Sequence, residues 1–422
     1  MTEQGPVLPL TPFRVLDLTQ GGCLIGPRLL GDVGADVIKI EHPRGDPSRN
    51  EGPFYKDIAH PEKSLFWFTY CCNKRGITLD IETADGREVL KRLVKTADFL
   101  IESYPVGYMD SLGLGYDELS KVNPRLVMTS ITPFGYDGPK AWFKGTDLTG
   151  WASGGTLYTM GDPDRAPTWI GFGPQATLHA GAEAAAASMI AHWDRELTGE
   201  GQWVDVSIQQ TVIWILQCTI QAWEMNKFDY PRSGSQQVTA GGVGRRQVYP
   251  CMDGFVSYML MGGGLVNLVA STQALVKWMD EEGKAPDWLK TFNWAQDFDT
   301  SKLTSEVVER VEAPVLAFFE TKTKAELWDQ CRKRGIILAP VNTVEDLCHD
   351  PHLQVREFWE KVYHPELADT LTYCGPFYRF SKTPVKIRRR APLIGEHNEE
   401  VYAKELGMSK AEMSLLKQVG AI

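Results

Sequence analysis

The chain reads as an α/β protein: a Rossmann-like parallel-sheet large domain with a smaller α+β domain inserted into it. Three observations predict this. Short β-branched and leucine-rich runs alternate with helical patterns from Arg14 to Ile131. A glycine-bearing turn with Gly21, Gly22 and Gly26 joins the first two runs. From residue 226 the alternation gives way to glycine-rich stretches and to helices rich in Trp and acidic residues.

Arg14 to Leu18 and Asp36 to Ile40 are the first two strands, with about two helical turns, Pro27 to Val33, between them. Gly21 and Gly22 stand at the carboxyl end of the first strand, where a backbone can approach a ligand closely or simply turn tightly. The spacing G-x-G-x-x-G is absent, which weighs against a nicotinamide or flavin site. After Glu41 the loop HPRGDPSRNEGP is too long for a plain connector and is expected to face a ligand. An aromatic run, Leu65 to Tyr70, leads through a turn, Cys71 to Gly76, into a strand expected at Ile77 to Asp80. Lys74 and Arg75 on that turn are either phosphate ligands or a solvated basic pair. A helix then begins at Thr83, with acids at its amino end and Lys91, Arg92 and Lys95 at its carboxyl end, as the helix dipole favours. Strands at Asp98 to Glu102 and Leu126 to Ile131 follow, separated by a short helix that Asn123-Pro124 ends. Helices are expected over 175–193 and 204–225, split by the turn Thr198 to Gly201. This divides the chain into 1–225 and 331–422 for the large domain and 226–330 for the small one.

Composition narrows the function. The 422 residues are 43% hydrophobic and 23% charged, which suits a packed globular chain too long for one ordinary core. A formal charge of -10 argues against nucleic-acid partners, and the one basic run, Lys386 to Arg390, reads as a solvated surface. No apolar stretch long enough to span a membrane and no leader-like start are visible, so a cytoplasmic protein is expected. Eight cysteines contain no C-x-x-C pair, and no metal is expected.

The phrases VLDLTQ…GPRLLGDVGADVIKIE, CCNKRGITLDI, ADFLIESY…LGLGYDELSKVNPRLV and ITPFGYDGP, with GIILAPVNTVEDLCHDPHLQVREFW and APLIGEHNEEV later, are similar in order and spacing to the class III CoA-transferases. That family includes formyl-CoA and carnitine-CoA transferases and the related 2-methylacyl-CoA racemases. The resemblance covers nearly the whole chain. It implies an interlocked dimer, coenzyme A thioesters as substrates, and one aspartate nucleophile. The aspartate attacks an acyl-CoA to give a mixed anhydride, which CoA thiolate converts to an aspartyl-CoA thioester that the acceptor acid then attacks. Glycine-loop N–H groups would stabilise the developing oxyanions.

On the same resemblance Asn73, Lys74 and Arg75 match a phosphate-binding Asn-Lys-Arg, Lys144 a basic residue near the pantetheine, and Gly22 and Leu79 further CoA contacts. His42 and Ser111 stand where the family has arginines, and Ser103-Tyr104 where it has Asn-Phe. Two lost arginines would weaken phosphate binding by about 1.5–3 kcal/mol each. The nucleophile falls at Gln175 or within three residues of it, with Ala176 the first choice, yet no aspartate lies between Arg165 and Trp193. Glu183 is two turns too far along; Asp147 matches a position that the family often fills with an acid and suits the start of its own helix with Thr146 and Thr149; and His179 alone is more often a satisfied histidine than a base. No catalytic residue is therefore assigned. The chain resembles most the two-subunit transferases of anaerobic aromatic degradation, which implies a paralogous partner subunit that carries the aspartate. A self-sufficient transferase or isomerase with a rebuilt site, and an acyl-CoA binding protein, are the alternatives.

Overall fold

The computed structural model describes residues 7–238, 242–263, 266–299 and 302–422. Its centre is a parallel sheet of β1 (Arg14–Leu18), β2 (Asp36–Glu41), β3 (Lys74–Thr78), β4 (Phe99–Glu102), β5 (Val127–Thr132) and β6 (Trp203–Ser207). The order is β3-β2-β1-β4-β5-β6. Every residue of β3, β4 and β5 is buried, as a sheet covered on both faces requires. The order reverses between β1 and β4, where Leu18 pairs with Glu102. Ligands of open α/β sheets bind at such a switch point, outside the carboxyl ends of the strands.

Around the sheet run α1 (Ile25–Asp32), α2 (Leu65–Tyr70), α3 (Ala84–Val94), α4 (Tyr108–Ser111), α5 (Tyr116–Val122), α6 (Asp147–Ser153) and α7 (Gln175–Thr198). Thr83 caps α3 by accepting from the Gly86 N–H, and Leu90, Leu93 and Val94 are its buried stripe. The C-terminal tail closes the same core: Val401, Tyr402, Leu416 and Ile422 pack with Leu16, Ile38 and Leu100. The Tyr402 hydroxyl donates to the Thr78 carbonyl at 2.6 Å.

Two elements differ from the sequence expectation. The third strand is Lys74–Thr78 and not Ile77–Asp80, so Lys74 and Arg75 lie inside the sheet, in register with Val37 and Ile38. Buried counter-charges from distant segments let a Lys-Arg pair occupy a strand. Residues 204–225 are not one helix. Val204–Ser207 belong to β6, which pairs in parallel with β5, and Ser207 then caps a short helix, Ile208–Ile213.

Two compact units divide the chain: 1–156, 170–216 and 351–422 form one, and 157–169 with 217–350 the other. The second unit thus begins nearer residue 217 than 226 and extends past 331. Leu338–Pro340 pairs with the strand Gly254–Tyr258, which in turn pairs with Val248–Cys251, and this holds residues to 350 in that unit. Its own core gathers Tyr249, Tyr258, Trp278, Phe298, Phe318 and Phe319. Residues 239–241 of its glycine-rich run, and Gly264 of its triple glycine, lie outside the described residues. Among the described residues no helix is long and apolar enough to cross a membrane.

Candidate functional site

The switch point is built by the turn that follows β1. Gly21 takes a left-handed conformation (φ 56°) and its N–H donates to Ser48 Oγ at 2.8 Å, while the Gln20 N–H donates to Ser103 Oγ at 2.9 Å. The ends of β1 and β4 are thereby tied together. Ser48 belongs to the long loop after β2, which does reach this turn. Its Arg49, however, is engaged inside the fold. Arg49 is fully buried, grips Glu41 with two donors at 2.7 and 2.8 Å, and lies 3.8 Å over the Trp67 ring.

Gly22 packs directly on the head of α7. A Cβ there would lie 2.3 Å from Thr177 Oγ1, 2.8 Å from Leu178 N and 2.9 Å from the Pro174 carbonyl. Only glycine fits so close an approach. The side chain at the glycine turn is therefore that of Thr177. Ala176, fully buried, turns away toward α6, where a Cβ on Gly150 would meet its methyl at 3.2 Å. Gln175 is half-buried and donates to the Phe172 carbonyl at 2.9 Å.

A carboxylate does reach the head of α7, from another element. Asp147 is the first residue of α6, which is capped by Thr146 in a reciprocal box with Thr149. Its own carboxylate crosses to α7, where Oδ1 accepts from the Thr177 N–H at 3.0 Å. Burial pushes the Asp147 carboxyl up, against the downward pull of the Thr177 and Ala176 N–H groups. Asp147 Oδ2 and the Trp151 indole nitrogen are both buried, and the Trp151 N–H adds to the downward pull on the carboxylate although the two make no hydrogen bond of good geometry. Trp151 stands edge-on to His179, with ring centroids 6.0 Å apart. The sequence placed Asp147 only at its own helix; a contact across 30 residues leaves no trace in local spacing.

Beneath the turn lies a charged knot. Asp17 accepts from Thr19 (N–H, 2.9 Å; hydroxyl, 2.7 Å) and from Lys74 Nζ (2.7 Å). Burial would raise the Asp17 carboxyl, but the ammonium groups of Lys74 and Lys39 outweigh it and hold it low. Lys39 also pairs with Asp46 at 3.0 Å. Glu102, at the end of β4, accepts from the Tyr104 N–H at 2.6 Å; burial pushes its carboxyl up to about 7. Burial, with Asp17 and Glu102 close by, pushes the neighbouring Cys23 thiol up to about 12. Glu102 was passed over as one more strand residue. An acid closing a wholly apolar strand at the switch point is the signal that could have found it.

The six expected CoA contacts stand in different surroundings. Lys74 is fully buried, with its ammonium on Asp17 and the Leu24 carbonyl. Arg75 is engaged by Asp36, Glu400 and Glu405. Asn73 accepts from the Arg388 and Arg389 N–H groups and donates to Asp32. These three side chains brace the sheet and the C-terminal segment. Arg388 of the basic run is likewise drawn in, onto the Gly31 and Asp32 carbonyls. Leu79 is buried just beyond β3, Gly22 lies under the head of α7, and Lys144 is exposed. His42, near the end of β2, is half-exposed and 3.8 Å from Asp80.

The model of CoA-transferase family III matches residues 10–398. The chain is 35% identical over 418 residues to succinyl-CoA:(R)-benzylsuccinate CoA-transferase subunit BbsE of Thauera aromatica, with 97% of each chain covered. It is 30% identical over 421 residues to the succinyl-CoA–D-citramalate CoA-transferase of Chloroflexus aurantiacus, with 99% of each covered. Among solved structures it resembles a CAIB/BAIF family protein from Brucella suis, with a TM-score of 0.78 at 27% identity, over 94% of this chain and 100% of that one.

Proposed function

The chain belongs to CoA-transferase family III, and from that premise we propose that it is the non-catalytic subunit of a heteromeric CoA-transferase. The assembly would move CoA from succinyl-CoA to a free carboxylic acid, with (R)-benzylsuccinate the acceptor suggested by the BbsE relative. A paralogous partner would supply the aspartate nucleophile, in the cytoplasm.

One observation carries the reading: the first turn of α7 bears Gln175, Ala176 and Thr177, none of them a carboxylate. Neither an amide nor a methyl can form the acyl anhydride and then the CoA thioester at neutral pH, and the Thr177 hydroxyl already donates to the Pro174 carbonyl at 3.0 Å. The relative most informative on assembly, BbsE, is by its name a subunit. We assign this chain's remaining share of CoA recognition to the exposed Lys144, since Gly22 and Leu79 are buried. The donors of Asn73, Lys74 and Arg75 are engaged inside the fold.

The second reading, a self-sufficient transferase with a rebuilt site, draws on the Asp147 carboxylate at the same helix head. Its burial weighs against it, because a nucleophilic oxygen must reach the thioester carbon.

The test is intact-mass analysis of the assembly purified on this chain, after incubation with succinyl-CoA and borohydride or hydroxylamine. A trapped adduct on a co-purifying chain alone supports the proposal; an adduct on this chain refutes it. Replacing Gln175 by Ala, or Ala176 by Ser, is expected to leave turnover within a few-fold. A loss above ~100-fold, about 2.7 kcal/mol of barrier, with folding intact would also overturn it.

A further inference from the structure

Five arginines are buried among the described residues: Arg28, Arg49, Arg75, Arg195 and Arg245. The first four each meet a carboxylate, on Asp32, Glu41, Asp36 and Asp98 in turn. Arg245, in the second compact unit, has no carboxylate partner among the described residues. We infer that Arg245 is a binding site for a substrate carboxylate, the one left free when the other end of a short dicarboxylic acid is held in a CoA thioester. The inference deepens the transferase reading above and rests on it for the choice of acid.

The local fold buries this cation and leaves it without an anion. Arg245 stands in the strand Gly244–Arg246, which pairs antiparallel with Gln236–Val238 and sets it in register with Gln237. Its Nη2 donates to Gln237 Oε1 at 3.2 Å, its Nη1 faces the Met261 sulfur at 3.9 Å, and its Nε is buried with no partner. Neither an amide oxygen nor a thioether balances a guanidinium charge. Burial pulls the Arg245 guanidinium below the usual arginine range, although Glu312 opposes it. Glu312 is engaged by the next residue instead: Oε1 accepts the Arg246 N–H at 2.7 Å, and Oε2 lies 3.8 Å from Arg246 Nε. Arg245, Arg246 and Glu312 together therefore leave one positive charge in excess. The Tyr249 hydroxyl, which burial and Glu312 push up, is likewise buried without a partner. Idle donors around an uncompensated cation lack an anionic acceptor, and a guanidinium fork matches the two oxygens of a carboxylate. Gln237 is exposed, and rotation of its side chain uncovers Nη2. Its amide oxygen is a weaker acceptor for a cation than a carboxylate, so an incoming acid displaces it. Met261 is flexible and polarizable and adapts to the occupant. Succinyl-CoA carries one such free carboxylate. A monocarboxylic acyl group of the same length has none and would leave the buried charge unpaired, so the site discriminates between them.

The test titrates succinyl-CoA and butyryl-CoA, acyl groups of equal length with and without the free carboxylate, into the assembly purified on this chain. Binding is read by calorimetry with no acceptor acid present. The wild type is expected to hold succinyl-CoA at least ~10-fold more tightly. Arg245→Gln is expected to remove that preference by weakening succinyl-CoA alone, and Arg245→Lys, which keeps the charge without the fork, to fall between the two. An equal loss for both thioesters would put the guanidinium on a CoA phosphate and overturn the assignment. So would a wild type without the preference, or a preference that Arg245→Gln leaves intact. If Arg245→Gln does not fold, Arg245→Lys takes its place, and an unchanged preference there overturns the inference. Turnover is judged separately: an assembly that moves no CoA from succinyl-CoA to an acid sinks the transferase reading, while the binding comparison still decides on Arg245.

Discussion

Replacing Lys74 by Met separates a bracing role from a phosphate-binding one. The Lys74 ammonium donates to Asp17 Oδ2 at 2.7 Å and to the Leu24 carbonyl at 2.8 Å, and neither Lys74 nor Asp17 has any side-chain exposure. Removing the cation leaves a buried carboxylate whose only other ion-pair partner among the described residues, Lys39, is 4.0 Å away. Breaking one side of a buried pair costs about 3–5 kcal/mol. Lys39 and the two Thr19 donors keep the expected loss near the lower end, about 3 kcal/mol. The urea midpoint of the first unfolding transition reads this loss, and the double variant Lys74→Met/Asp17→Leu is expected to recover most of it, since an apolar pair of similar volume carries no unpaired charge. CoA affinity measured by calorimetry on the folded assembly should stay within about two-fold, under 0.5 kcal/mol. The opposite pattern, an unchanged urea midpoint with affinity reduced more than ~10-fold, would refute the reasoning and return Lys74 to the phosphate.

Two further outcomes follow from the switch point, beside those already stated for Gln175 and Ala176. Burial raises the Glu102 carboxyl to about 7, so the folded chain binds that proton more tightly than the unfolded one. Glu102 should therefore add stability as pH falls from 8 toward 5, by about 3 kcal/mol in all; Glu102→Gln should flatten the melting profile over that window and raise stability at pH 8, and an unaltered slope would show that Glu102 is not the titrating group. Gly22→Ala drives a methyl to 2.3 Å from Thr177 Oγ1 and against backbone at Leu178 and Pro174; a cost of about 1–3 kcal/mol and faster hydrogen exchange over 174–178 are expected, and unchanged exchange there would mean the turn yields without disturbing α7.

What could be read from the sequence was what repeats locally. The alternation of buried runs and helical patterns gives β1, β2, β4 and β5 nearly to the residue, and the glycines after β1 mark the switch point that strand order then confirms. The third strand was displaced because Lys74 and Arg75 look like turn residues. Their burial is possible only through Asp17, Asp36, Glu400 and Glu405, of which the last two lie more than 320 residues on. β6 was absorbed into a helix because Val204 and Val206 fit either period in so short a run. The candidate site shows the same limit in its sharpest form. Spacing along one helix tests only the residues that helix carries, so it reports that α7 lacks an acid and stops there. A helix head does not distinguish whose carboxylate meets its N–H groups, and Asp147 meets them from the neighbouring helix. Absence of the nucleophile from α7 and absence of negative charge from its head are thus separate statements. The first was legible in the order of residues; the second is false, and only the packing of α6 on α7 reveals it.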